Sequence, residues 1–208
     1  MREKMKTNKK VGIIGGTFNP IHIGHLILAE HAYDEYKLDE ILFIPTGISH
    51  FKDPSIVLDK KKRITMTGGA IDDNPHFALS TIETDRPGNS YTYETLEELK
   101  RMNPDTEYYL IVGADSLFQI EEWKNTQSIM SNASILVAVR KGQSLEELKE
   151  KAEELTKKYK ATINVLTCPY IDISSTEIRA RIKEGKSIRY MVTDDTLNYI
   201  NKFNLYRD

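Results

Sequence analysis

Two histidines three residues apart, His22 and His25, stand in the run Gly15-Gly16-Thr17-Phe18-Asn19-Pro20-Ile21-His22-Ile23-Gly24-His25. A short apolar run, residues 11–14, leads in, and a helical pattern with Leu26, Ile27 and Ala29 leads out. Residues three apart in a first helical turn share a face, so both imidazoles can donate to one ligand. Glycines at a strand end let a backbone approach that ligand with no Cβ in the way. A helix N-terminus adds N–H groups and partial positive charge. The chemistry on offer is anion binding, phosphate above all. Singly the parts say less: Gly-Gly is commonly a turn, and two histidines at this spacing bind a metal or sit on a surface. The order strand, glycines, His-x-Gly-His, helix is what points to phosphate, with Gly24 leaving room for a phosphate chain.

A second anion site is offered by Ile173-Ser174-Ser175-Thr176-Glu177-Ile178-Arg179. Ser174 and Glu177 have capping-box spacing, so a well-capped helix accounts for the run by itself. The same three hydroxyls, with Arg179 within a turn of a positive helix end, would also hold an anion. Between these runs lie further candidates. Ser90-Tyr91-Thr92 precedes a helical run with Leu96 and Leu99. It is either an ordinary helix start or one whose N–H groups receive a carboxylate. Trp123, the sole tryptophan, is a core residue or a stacking platform; Glu121, Glu122 and Lys124 around it argue against deep burial. Asp115 in Gly113-Ala114-Asp115-Ser116 can cap a helix, accept from ribose hydroxyls, or both. His50, Lys52 and Arg140 are cations in positions suited to phosphate, though a loop cation is often only solvated. His31 and His76 fit no motif and read as surface residues.

These side chains need elements to hold them. Apolar runs rich in β-branched residues at 11–14, 40–44, 108–112, 135–139 and 163–166 read as buried strands. Residues 144–159 carry Leu145, Leu148, Ala152 and Leu155 three or four apart, a helix with one apolar face. Other helices begin near His22, Leu58, Thr92, Ala114, Ser175 and Thr193, and residues 46–56 read as a long loop. Strands alternating with helices predict an α/β fold, a doubly wound parallel sheet with right-handed crossovers. Such sheets bind ligands beyond the carboxyl ends of their strands. Gly15–Gly16–Thr17, residues 46–52, Gly113–Asp115 and Arg140 each follow a predicted strand, so one rim collects them. Residues 11–208 read as a single domain with a small C-terminal helical portion, and residues 1–10 as a flexible polar tail.

The chain has 208 residues, 39% hydrophobic and 29% charged, with 29 basic against 31 acidic side chains. That is enough to bury a core, and the net charge of −2 disfavours nucleic acid as a partner. One cysteine, Cys168, excludes an internal disulfide and makes a cytoplasmic location the default. No apolar run approaches the ~18 residues of a membrane helix. A zinc site built on His22, His25 and Cys168 is remote, given how the three scatter along the chain.

The first run resembles the signature of the HxGH nucleotidylyltransferases, and residues 173–179 resemble their ISSTxIR motif. Ser90-Tyr91-Thr92 and the stretch from Gly113 to Trp123 resemble elements of the nicotinate-mononucleotide adenylyltransferase branch, and all four occur in the expected order. The resemblance implies a Rossmann-like domain and transfer of the adenylyl group of ATP to nicotinate mononucleotide, releasing pyrophosphate, in NAD biosynthesis. It implies catalytic roles for His22, His25 and Arg179. ATP would be held by Gly15, Gly16, Thr17, Phe18, Gly24, Gly113, Asp115, Arg140, Ser174, Ser175 and Thr176. Nicotinate mononucleotide would be held by Asn19, His50, Lys52, Tyr91, Thr92 and Trp123. Mg²⁺ would arrive mainly on the ATP phosphates, with no metal cage in the protein, and a homodimer is left open. Asn19 departs from the family, where aspartate is commoner, and the spacing of His50 and Lys52 departs from an adjacent His-Lys pair. A sister enzyme for nicotinamide mononucleotide or another phosphorylated acceptor is the alternative; a nucleotide sensor without turnover is a second.

Overall fold

The chain alternates strand and helix along its length, and a computed structural model describes residues 8–48, 56–139, 144–169 and 171–207. The strands are β1 (Lys10–Gly16), β2 (Glu40–Pro45), β3 (Phe77–Leu79), β4 (Glu107–Gly113), β5 (Ser134–Ala138) and β6 (Ile163–Leu166). They form one six-stranded sheet in the order β3-β2-β1-β4-β5-β6, with every pairing parallel. This is the doubly wound arrangement the alternation predicts.

The helices cover both faces, which is why the strands read as continuous apolar runs. On one face α4 (Thr92–Met102), α5 (Ala114–Phe118), α6 (Thr126–Asn132) and α7 (Leu145–Tyr159) close a core around Leu96, Leu117, Ile129, Val137 and Leu148. On the other, α1 (Ile23–Tyr36), α2 (Lys60–Ile71), α8 (Ser175–Lys183) and α9 (Asp194–Lys202) close a second core around Ile14, Phe43, Met66, Leu136 and Ile178. Local chemistry sets several boundaries. Ser144 accepts from the Glu147 N–H, Glu146 and Glu147 fill the first turn of α7, and Lys157 and Lys158 fill the last. That charge order complements the helix dipole. Ser174 and Thr193 cap α8 and α9 in the same way.

Sequence and structure differ at the N-terminal boundary and in the shortest elements. The predicted tail reached residue 10, but Lys10 already belongs to β1 and its N–H donates to Asp39. Lys9 pairs with Glu40 at 2.7 Å, and its carbonyl accepts from Glu107. Residues 1–7 lie outside the described residues. β3 and the short helices α3 (Ile82–Asp85) and α6 went unread, as did the 3-10 turn Ile120–Glu122, because three to seven residues carry too little periodicity. The loop expected at 46–56 carries an isolated parallel bridge from Ile48 to Asn89, and residues 49–55 lie outside the described residues.

Leu136, fully buried in β5, tests the core. Leu136→Ala should cost about 2–5 kcal/mol, seen as a lower urea midpoint with an unchanged denaturant slope. An unchanged midpoint would mean that the two cores do not share this strand.

Candidate active site

β1 and β4 lie side by side at the point where the strand order reverses, so a crevice must open beyond their carboxyl ends. A cleft of about 380 Å³ lies there. Gly15 and His25 supply one wall, Gly113 and Ser116 a second, and Tyr91, Thr92 and Trp123 a third. A Cβ on Gly15 would meet nothing within 4 Å, so this glycine leaves open space in the cleft.

The histidines are ordered by one another. Their rings stack with centroids 3.7 Å apart, and Phe18 packs edge-on against His25 at 5.1 Å. The His22 N–H donates to His25 Nδ1 at 3.2 Å. An accepting Nδ1 carries no proton, so the neutral His25 ring holds its proton on Nε2 as a donor. His25 lines the cleft, whereas His22 is 8% exposed and stands behind it. The two rings thus stand one in the cleft wall and one stacked against it. The backbone at this end is partly spent: the Ile23 N–H donates to Met191 and the His25 N–H to His22.

The second motif is brought to the first across more than 150 residues. Ser175 Oγ donates to the Pro20 carbonyl at 2.8 Å, and Arg179 donates to the Asn19 carbonyl at 2.9 Å. Arg179 also donates to Thr176 Oγ1, and Ser174 caps α8 by accepting from Glu177. The run is a capped helix, and its cation and hydroxyls abut the segment that leads into His-x-Gly-His. These four residues do not line the cleft; they reach its β1–α1 wall through Asn19 and Pro20.

Several predicted residues carry structural work. Phe18 is 2% exposed, with its ring in the core. Gly16 makes room for that ring, since a Cβ would come within 2.9 Å of it. Gly24 likewise makes room for His22, at 3.1 Å. Asn19 is 4% exposed and spends its side chain internally. Its Nδ2 donates to Ile56 O, while its Oδ1 accepts from the Leu58 N–H and the Tyr206 hydroxyl. Aspartate could not make the first of these bonds, which gives asparagine here a structural reason. Asp115 is exposed in the first turn of α5, beside Gly113 and Ser116 of the cleft wall. Thr17 contributes its carbonyl to Arg63. His50, Lys52 and Arg140 lie outside the described residues.

Two groups were missed. Arg63 is 2% exposed and donates to the carbonyls of Leu58, Thr17 and Gly47, at 3.0, 2.8 and 3.3 Å. It ties the ends of β1 and β2 to the start of α2. Burial lowers its pKa, with Tyr206 and Asp59 opposing that shift. Its signal was legible: Met66, Thr67, Ala70 and Ile71 follow at helical spacing, which puts a cation on a buried stripe. The second is Glu83, 7% exposed at the cleft, which accepts from Thr95 Oγ1 at 3.0 Å. Burial raises its carboxyl pKa, against the opposing effects of Thr95, Arg86 and Ser90. Ser90 Oγ also accepts from the Gly47 N–H.

Trp123 is half-buried, against one core and facing the cleft. The turn before it is pinned from two sides. Thr126 Oγ1 is shared between the Ile120 and Trp123 carbonyls, at 2.8 and 2.9 Å. Glu121 accepts from Lys151, Lys158 and Tyr159, and the hydrogen bonds of the two lysines pull its carboxyl down to about 2. That anchor is fully present above the ordinary carboxylate range and is lost only as pH falls through about 2.

The family model described as cytidylyltransferase-like matches residues 13–181. The chain belongs to that family. It is 46% identical over 198 residues to a probable nicotinate-nucleotide adenylyltransferase of Lachnoclostridium phytofermentans, covering 95% of this chain and 99% of the relative. A protein of the same printed name from Clostridium tetani is 41% identical over 199 residues, covering 96% and 100%. The fold matches that of the Plasmodium falciparum nicotinic acid mononucleotide adenylyltransferase complexed with NaAD. There the TM-score is 0.77, at 20% identity over 95% of this chain and 97% of the other. Among the described residues no three His, Cys, Asp or Glu side chains cluster to hold a metal, and no helix is long and apolar enough to cross a membrane.

Gly47 tests how the cleft is closed on the β2 side. A Cβ there would lie 2.6 Å from the Glu83 carbonyl and 2.7 Å from Ser90 Oγ, so backbone must move. Gly47→Ala should cost about 1–3 kcal/mol, lowering Tm by roughly 2–4 °C per kcal/mol. An unchanged Tm would show that this junction yields freely.

Proposed function

We propose that the chain transfers the adenylyl group of ATP to nicotinate mononucleotide, giving nicotinate adenine dinucleotide and pyrophosphate. The observation that carries this reading is the cleft at the β1/β4 switch point. It joins the His25 imidazole to the Tyr91–Thr92 helix start and Trp123, with the Arg179 helix packed against its wall. The relatives of nearly equal length point the same way.

The acceptor phosphate brings its own nucleophile. A phosphate monoester has a second pKa near ~6 and is mostly dianionic at pH 7, so no general base is needed. An acceptor oxygen bonds to the α-phosphorus of ATP, the bond from that phosphorus to the bridging oxygen breaks, and pyrophosphate leaves with the bonding pair. The protein's part is to position two anions in line and to meet the charge growing on the leaving group. His25 Nε2–H is the donor in the cleft, and its direction is fixed by the His22 N–H on Nδ1. Arg179 retains further N–H donors beyond those given to Asn19 and Thr176. On this reading, Trp123 stacks on the pyridine ring and the N-terminus of α4 receives its carboxylate. The donor set of the cleft, imidazole and hydroxyl with few carboxylates, suits Mg²⁺ carried in on ATP oxygens better than a protein-held ion. When bound, Mg²⁺ would neutralise charge on the ATP phosphates.

Pyrophosphate release from ATP and Mg²⁺, with nicotinate mononucleotide and nicotinamide mononucleotide offered separately, should favour the acid. Equal rates would overturn the acceptor assignment, and no release with either would overturn adenylyl transfer to these acceptors. His25→Ala should lower kcat by about 100- to 1,000-fold, the usual cost of one transition-state donor. A folded His25→Ala variant with unchanged kcat would remove His25 from the chemistry. Because Trp123 is the sole tryptophan, its emission should change on titration with the acceptor; a constant emission would remove it from the acceptor wall.

A further inference from the structure

Among the described residues lining the cleft there is a single lysine or arginine, Lys124. It follows Trp123 directly, so the turn held by Thr126 and by Glu121 positions both side chains together. Its Nζ lies 4.2 Å from the centre of the Tyr91 ring and 5.8 Å from that of Tyr93. Tyr91 is the N-cap of α4, whose first helical residue is Thr92. The ammonium therefore sits at the same end of the cleft as the N–H groups of that helix and the indole.

The kind of contact matters. A lysine paired with a carboxylate is electrically cancelled, whereas a lysine resting on an aromatic face is oriented and keeps its full charge toward its surroundings. No carboxylate among the described residues lies within ion-pair distance of Lys124. The cleft does present two acidic side chains, Glu83 and Glu122. Glu83 is buried and its carboxyl is raised by that burial, which favours the neutral form, while Glu122 is exposed to solvent. An anionic ring substituent entering here would meet whatever repulsion these two retain, and among the described lining residues Lys124 is the one lysine or arginine able to offset it.

We propose that Lys124 is a specificity-determining residue that selects an acidic over an amidated pyridine ring. The inference rests on the acceptor reading above and deepens it. The helix N-terminus carries only partial charge and also donates to an amide oxygen, so it separates the two ring substituents less than a full charge does. A full positive charge discriminates between them, because attraction of this kind exists for the carboxylate alone. Two unit charges about 4 Å apart interact by roughly 1 kcal/mol in water and more where water is excluded. A cleft-facing ammonium is thus sufficient for about a tenfold preference.

The test compares kcat/KM for nicotinate mononucleotide and nicotinamide mononucleotide in the intact chain and in Lys124→Met, Lys124→Arg and Lys124→Glu, at low and high salt. Lys124→Met should raise KM for the acid about tenfold, with kcat and the KM for ATP moving less than twofold. Lys124→Arg should retain the preference, and Lys124→Glu should lower it further than Lys124→Met does. The preference of the intact chain should shrink with added salt, and that of Lys124→Met should not, since screening acts on the charge alone. A merely structural lysine would instead affect both acceptors alike and leave salt dependence unchanged. Full acid preference in Lys124→Met, or equal losses for both acceptors, would overturn the inference while leaving the acceptor reading intact. An intact chain with no acid preference would overturn the acceptor reading and this inference together.

Discussion

The segment from Thr17 to Pro20 is a buried polar knot, and the arrangement around the cleft hangs on it. Its backbone carbonyls accept from Arg63, Arg179 and Ser175, which come from α2 and α8. The Asn19 side chain accepts from Leu58 and Tyr206 and donates to Ile56. Four stretches of chain that are remote in sequence thus converge on a few residues between β1 and α1. Buried polar groups are costly when unpaired, so each partner is obliged to stay. The same bonds that satisfy these groups fix where α1 starts, and hence where His25 stands.

This explains a division of labour between the two histidines. The stacking and the His22 N–H to His25 Nδ1 bond make a rigid pair in which one ring faces the cleft and the other supports it. The glycines serve that pair as much as any ligand. Gly24 makes room for the His22 ring and Gly16 for Phe18, which in turn meets His25 edge-on. A site built this way needs little reorganisation when an anion enters, which is where electrostatic preorganisation gains its effect.

How much of this was legible in the sequence follows from the range of each interaction. Strands buried on both faces announce themselves as apolar runs, and five of six were read within two residues at either end. The starts of α4 and α8 were placed at Thr92 and Ser175, because caps are local chemistry. The convergence of the two motifs was expected from their likeness to a known pair, and Ser175 to Pro20 is its physical form. What local pattern could not carry was the work of Asn19, whose partners stand 37 to 187 residues away. Nor could it carry the need for Gly47, which is set by the carbonyl of Glu83 across a loop junction. Arg63 was the exception, a cation visibly placed on the apolar stripe of α2.

Net charge poses the last problem, since a chain of −2 must gather two polyanions in one cleft. Overall attraction is absent, so the positive potential has to be local and held in place. Arg63 illustrates the means. Its hydrogen bonds go to three carbonyls, so its donors are satisfied without an anion, and the guanidinium keeps its charge just beneath the rim. Burial lowers its pKa, yet a guanidinium stays protonated at any physiological pH. Arg179 is treated the same way, tied to the Asn19 carbonyl and the Thr176 hydroxyl, and Lys124 rests on tyrosine faces. At each of the three positions the protein orients a cation with neutral partners. That choice gives up the stability of an ion pair and leaves each charge uncancelled by a hydrogen-bonded carboxylate.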